Sequence, residues 1–148
     1  MIFDDYVQSV ELASFGSDYT GATCVEAGWS QLGGHMKLQF ANTTVLSDQV
    51  CADNDNTGPM GYGTICAGEG DTGTAVMCPG YTGSPLVCDQ VLAGLQSFTY
   101  SCFTQGAPSV YMEIGALRDW VDYILSTYDN WIENKNNVEE LLIAKSNE

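Results

Sequence analysis

Basic side chains are scarce. Lys and Arg number four in 148 residues against nineteen Asp and Glu, for a formal net charge of −15. Nucleic-acid binding needs cationic side chains that displace counterions, so this balance argues against it. It equally disfavours anionic membrane surfaces and, in its plainest reading, serves solubility through mutual repulsion. Histidine occurs once, at His35, with no cysteine nearby and no C-x-x-C pair anywhere in the chain. Zinc ligand sets are therefore not expected, and the sequence asks for no metal and no cofactor. No apolar run approaches the length of a membrane span. No basic n-region followed by an apolar h-region opens the chain, so any signal peptide is expected to have been removed.

Six cysteines stand at 24, 51, 66, 78, 88 and 102. An even count without metal spacing points to three disulfides and an oxidising compartment, hence a secreted protein; counting alone leaves every pairing open. Short alternating segments recur at Tyr6–Leu12, Thr23–Trp29, Lys37–Val45, Leu86–Cys88, Val91–Phe98 and Ser109–Ile114, separated by Gly- and Asp-rich turns. This pattern predicts a small all-β sandwich or barrel. Leu46–Ala52, with Ser47 as a cap, predicts a short helix. Leu117, Trp120, Val121, Ile124, Leu125, Tyr128 and Trp131/Ile132 then fall at three- and four-residue steps, the apolar face of an amphipathic helix. Asn134–Asn137 should weaken or end it, and "VEELLIAK" could form another short helix. "DNDNTG" at 53–58 has the opening of a calcium loop, but Thr64 stands where the closing Glu belongs, so an Asx-rich turn is the better reading.

"CPGYTGSPLVC", residues 78–88, resembles the nucleophile turn C-x-G-D-S-G-G-P-x-x-C of trypsin-like serine proteases. Further blocks resemble the same family in the same order: "CVEAGWS" (24–30), "VLSDQVC" (45–51), "ICAG" (65–68), "LAGLQSFTYSC" (92–102) and "APSVYMEIGALRDWV" (107–121). Together they cover roughly residues 6–128 and match only the second of the family's two barrels. The resemblance implies an all-β fold, a six-stranded antiparallel Greek-key barrel followed by a C-terminal α-helix. It divides the chain into a barrel with its terminal helix (1–128) and an acidic C-terminal extension (129–148). It also implies one cysteine pairing: Cys24–Cys88, Cys51–Cys66 and Cys78–Cys102.

What the resemblance implies about activity is negative. Thr82 stands where the nucleophilic Ser would be, and Tyr81 replaces the Asp that pairs with the new N-terminus on activation; Gly80 is kept. Val76 and Met77 fall at the floor of the specificity pocket. Thr99 and Ser109 replace two glycines of its walls, Phe98 replaces a Trp, and Ser97 is retained. The segments that carry the general-base His and its Asp have no match here. The expectation is therefore a pseudoprotease, a secreted homologue with no catalytic residues of its own that acts by binding protein.

Two other classes stay open. The chain could be the C-terminal part of a cleaved two-chain protease with residual or Thr-based peptidase activity. It could also be a structural or storage subunit of an extracellular assembly. The helix face of Trp120, Ile124, Leu125 and Trp131 needs cover, because monomers seldom leave such a patch bare. The candidates are a non-covalent first-barrel chain of the same precursor, a second copy of the chain, or its own "VEELLIAK" segment. "NTT" at 42–44 makes Asn42 a candidate glycosylation site if it is exposed.

Overall fold

The structure, a computed structural model, describes residues 3–29, 38–54, 61–69, 82–99, 107–128 and 131. Its elements run β1 (Glu11–Leu12), β2 (Thr23–Trp29), β3 (Leu38–Val45), α1 (Asp48–Asn54), β4 (Thr64–Gly68), β5 (Pro85–Cys88), β6 (Val91–Thr99) and β7 (Ser109–Glu113). A second helix, α2, follows over 114–128.

Six of the strands close into an antiparallel barrel. β2, β3 and β4 form one meander and β5, β6 and β7 another; β5 returns to lie beside β2, and β4 pairs with β7. The return of β5 to β2 is the Greek-key step, and closure leaves no bare sheet edge in the ring. The expected barrel and C-terminal helix are both present. β1 lies outside the ring and pairs in parallel with β6, with Glu11 opposite Val91.

Local chemistry explains most boundaries. Asp89 and Gln90, both at positive φ (49° and 67°), form the two-residue turn between β5 and β6, the primed turn whose twist matches a hairpin. Ser47 caps α1: its hydroxyl accepts from the Val50 N–H at 3.3 Å. α1 therefore starts after Ser47 and extends two residues beyond the segment anticipated from sequence. Asp53 and Asn54 close α1 rather than open a calcium loop, and residues 55–58 lie outside the described set.

Two strand expectations need correction. Tyr6–Leu12 contributes only Glu11–Leu12 to the sheet. Asp4 Oδ1 accepts from the N–H groups of Tyr6 and Val7, both at 2.8 Å, and this turn takes the backbone bonds that a longer strand would need. Ile114, expected to end the last strand, instead begins α2. β4 was not among the alternating segments; its three consecutive buried residues, Cys66–Gly68, leave no alternation to read.

The main core gathers Cys24, Val45, Ala67, Leu86, Cys88, Ala93 and Tyr111 inside the ring. A smaller cluster of Cys51, Cys66 and Val110 seats α1 against the barrel. Cys24 is bonded to Cys88 and Cys51 to Cys66. Loops of these lengths, 64 and 15 residues, contribute about 3 to 4 kcal/mol each by chain-entropy reasoning. Cys78 and Cys102 lie outside the described residues.

α2 is held at its start. Arg118 donates from a guanidinium N–H to the Leu12 carbonyl at 3.0 Å, and its Nε pairs with Asp122. Farther along, the apolar face is open: Trp120 is 62% exposed and Leu125 54%. Trp131 stacks on Tyr128 with ring centroids 6.1 Å apart.

Gly94 on β6 leaves no room for a side chain in the barrel wall. A Cβ there would stand 2.9 Å from Tyr111 Cβ and 3.3 Å from the Met112 carbonyl oxygen. Gly94→Ala should therefore destabilise the fold, by about 1–3 kcal/mol as for other overpacked cores. Urea melts of the two proteins check this; an unchanged midpoint would show that β6 and β7 can separate without cost.

Candidate functional site

The turn that resembles the family's nucleophile turn runs directly into β5. Thr82 is exposed in it, and Gly83 adopts φ 88°, a conformation that a side chain would strain. The turn is pinned to β6 from both sides of one residue. The Gly83 N–H donates to the Gln96 carbonyl at 2.7 Å, and the Gln96 N–H donates to the Ser84 carbonyl at 2.9 Å. Gly80 and Tyr81 lie outside the described residues.

β6 carries the next layer. Its register with β7 slips between Gln96 and Phe98, so Ser97 is an extra residue in a bulge. Bulges bend a strand and re-aim its side chains, and this one places Ser97 half-buried and Phe98 outward at 42% exposure. Thr99 lies opposite Ser109 in the register, and their hydroxyl oxygens are 2.9 Å apart. The Gln96 side-chain amide donates to both, to Thr99 Oγ1 at 2.8 Å and to Ser109 Oγ at 3.3 Å. The two residues expected in the pocket walls are thus joined by a hydroxyl bridge. Val76 and Met77, expected at the pocket floor, fall outside the described residues, as does His35.

One residue of this region was missed by the sequence reading. Glu26 on β2 is completely buried, and neither carboxylate oxygen has a hydrogen-bond partner. It faces Tyr111 of β7 across the barrel interior. Loss of hydration pushes its pKa up from 4.5 to about 7, against a smaller opposing effect of the Tyr111 hydroxyl. Burial, the Glu26 charge and a contact with the Glu26 carboxylate drive the Tyr111 phenol far above its ordinary range. A signal was available. Cys24 and Cys88 both face inward, and the two-residue period of a strand then turns Glu26 inward as well. The apolar residues Val25 and Trp29 alternate with it and point outward, 42% and 58% exposed.

A cavity of about 510 Å³ lies elsewhere, lined in part by Asp18, Tyr19, Asp48, Tyr62 and Glu113. Partial burial, then Asp48 and Asp18, raise the Glu113 pKa. Among the described residues no group of acidic, Cys or His side chains is arranged to hold a metal ion. Asn42 is exposed on β3, opposite Val25.

The Trypsin family model matches residues 1–121. The chain belongs to the trypsin family. It is 33% identical over 127 residues to Trypsin-2 of Salmo salar, covering 83% of this chain and 54% of that protein. Trypsin delta of Drosophila melanogaster is 31% identical over 132 residues, covering 82% of this chain and 49% of that protein. Among solved structures, neuropsin, a serine protease expressed in the limbic system of mouse brain, superposes with a TM-score of 0.70 at 27% identity. The match covers 84% of this chain and 56% of that one. The chain spans about half the length of the curated relatives it matches.

These relatives correct the expectation of a pseudoprotease. They are named trypsins, and the similar solved structure is titled a serine protease. The inference of a dead enzyme rested on Thr82, Tyr81 and the altered pocket residues together with a missing base. That absence carries no weight in a chain spanning about half the length of its trypsin relatives, and position 82 still bears a hydroxyl.

Glu26 makes stability depend on pH with a definite sign. In the fold it keeps its proton to about pH 7, whereas unfolded it loses it near 4.5. Its contribution is fully present below about pH 4.5 and is lost as pH rises through 7, roughly 3 kcal/mol in all. Urea melts at pH 5 and pH 8 should show the drop, and Glu26→Gln should remove it. An equal drop in both proteins would assign it to another group.

Proposed function

We propose that the chain is the second barrel of a secreted trypsin-like serine protease that cleaves peptide bonds when a first barrel docks on it. The observation that carries this reading is the exposed Thr82 hydroxyl on a turn clamped to β6 by two backbone hydrogen bonds. Acyl transfer needs a hydroxyl nucleophile, a base within hydrogen-bond reach and backbone donors for the oxyanion. This chain offers the first at Thr82 and a donor in the Thr82 N–H. The docked first barrel supplies the base that takes the Thr82 proton. The added methyl of Thr restricts its rotamers and slows attack relative to Ser.

Docking is favoured by the open face of α2. Trp120, Ile124, Leu125 and Trp131 are 43–62% exposed, apolar surface of the kind monomers seldom leave to water. A chain that spans half of its relatives has a natural occupant for that face in the other half. Secretion is favoured by the two disulfides and by the exposed Asn42 sequon, which a secreted chain would carry glycosylated.

Three outcomes are expected. Native mass of the purified protein should exceed 15.9 kDa by a partner of about one barrel, lost on denaturation without reductant. A mass of one chain in both conditions would remove the docking proposal. With the first barrel present, a fluorophosphonate probe should label Thr82, and Thr82→Ser should raise kcat about tenfold if the methyl costs ~1.4 kcal/mol. Absence of label, with no gain in the Ser variant, would sink the peptidase reading. Enzymatic deglycosylation should shift the mass of the secreted protein but not that of Asn42→Gln.

A further inference from the structure

β2 and β3 turn an apolar, uncharged face to solvent. The two-residue period of a strand puts every second side chain on it. In the register Val25 stands opposite Asn42, Ala27 opposite Phe40 and Trp29 opposite Leu38. Phe40 is 78% exposed and Leu38 60%. None of the outward residues of these two strands is ionised, in a chain of net charge −15. The face therefore fits a neutral occupant with an apolar side, and monomers seldom leave such surface bare.

Asn42 is an attachment point on that same face. It opens the sequon Asn42-Thr43-Thr44 and is exposed. Its direction is fixed from beneath. Thr43 is buried, and its hydroxyl donates to the Gly68 carbonyl at 3.2 Å, so its neighbour Asn42 faces outward. Phe40 precedes Asn42 by two residues and so stands on the same side, about 7 Å along the strand. One sugar ring on Asn42, folded back along β3, spans that interval. The substituents of N-acetylglucosamine lie around the ring edge and leave axial C–H groups on its faces. Those C–H groups suit the electron-rich face of an aromatic ring.

We propose that Asn42 carries an N-linked glycan whose first N-acetylglucosamine stacks on Phe40 and covers the outward face of β2 and β3. The side-chain amide nitrogen of Asn42 bonds to the anomeric carbon of the sugar. The bond from that carbon to the diphosphate of a lipid-linked donor breaks, the diphosphate leaves with the electron pair, and the amide nitrogen gives up one proton. The covalent tether then holds the sugar beside Phe40 at high effective concentration, so a weak stack is enough. Free partners have no such advantage. Two copies of a chain of net charge −15 repel each other, and this face offers a basic partner no carboxylate. The inference rests on the reading of the chain as secreted and is independent of its peptidase reading.

The full chain secreted from a eukaryotic host tests it, beside Asn42→Gln, Phe40→Ala, Phe40→Leu and the double variant of Asn42→Gln with Phe40→Ala. Phe40 is exposed, so its variants should keep the fold. Mass spectrometry should find the glycan on Asn42; a bare Asn42 would overturn the inference and the glycosylation reading together. NMR should show protons of the first sugar shifted upfield by the Phe40 ring, and both Phe40 variants should lose that shift. The glycosylated chain should melt about 2–4 °C above Asn42→Gln. The gap should close when Phe40 is Ala in both proteins. Unshifted sugar protons, or an equal gap with and without Phe40, would overturn the stack while leaving the glycan and the secretion reading intact. A glycosylated chain that pairs with a second copy, and separates in Phe40→Ala, would make that copy the occupant and overturn it too.

Discussion

The bond between Cys24 and Cys88 sets the terms for the rest of the barrel. It ties β2 to β5, two strands far apart in the chain, with Cys24 and Cys88 both on the inward face. A strand has only two faces, so one fixed residue determines all of them. Cys24 inward puts Glu26 inward and Val25 and Trp29 outward. Apolar burial alone would favour the opposite face. The covalent link and the pairing of β2 with β3 and β5 outweigh that preference, and a buried carboxyl group is the consequence.

That carboxyl group is tolerated because it is neutral over much of the pH range. Taking a charged carboxylate out of water costs several kcal/mol, whereas keeping its proton costs far less near neutral pH. Tyr111 is its companion, and Tyr111 in turn shares β7 with Ser109. The same strand wall therefore holds the polar interior and one side of the hydroxyl bridge. Gln96 connects the layers: its side chain binds the bridge while its backbone clamps the nucleophile turn.

The proposed function rests on this layering. The nucleophile turn is a loop, but both of its anchoring bonds end on a single residue of a barrel strand. A catalytic or binding side chain gains its precision from such rigid support. The open face of α2 and the outward residues of β2 and β3 form the other half of the design. They present apolar surface that the barrel itself does not use.

Much of the fold was legible in the residues. Alternation gave the limits of β2 to the residue, Ser47 marked the start of α1, and three- and four-residue spacing marked α2. The ordered motifs determined the family and the barrel. Other features depended on assembly. The segment before Glu11 alternates like a strand but finds no edge to join, because the closed ring leaves only a short pairing beside β6. The Thr99–Ser109 bridge needs two strands brought into register across a bulge, which no local pattern encodes. The sequence by itself determined the family, the barrel and a hydroxyl at position 82. Only the tertiary structure decided that Glu26 is buried beside Tyr111, because an inward face is defined by what the strand is closed against.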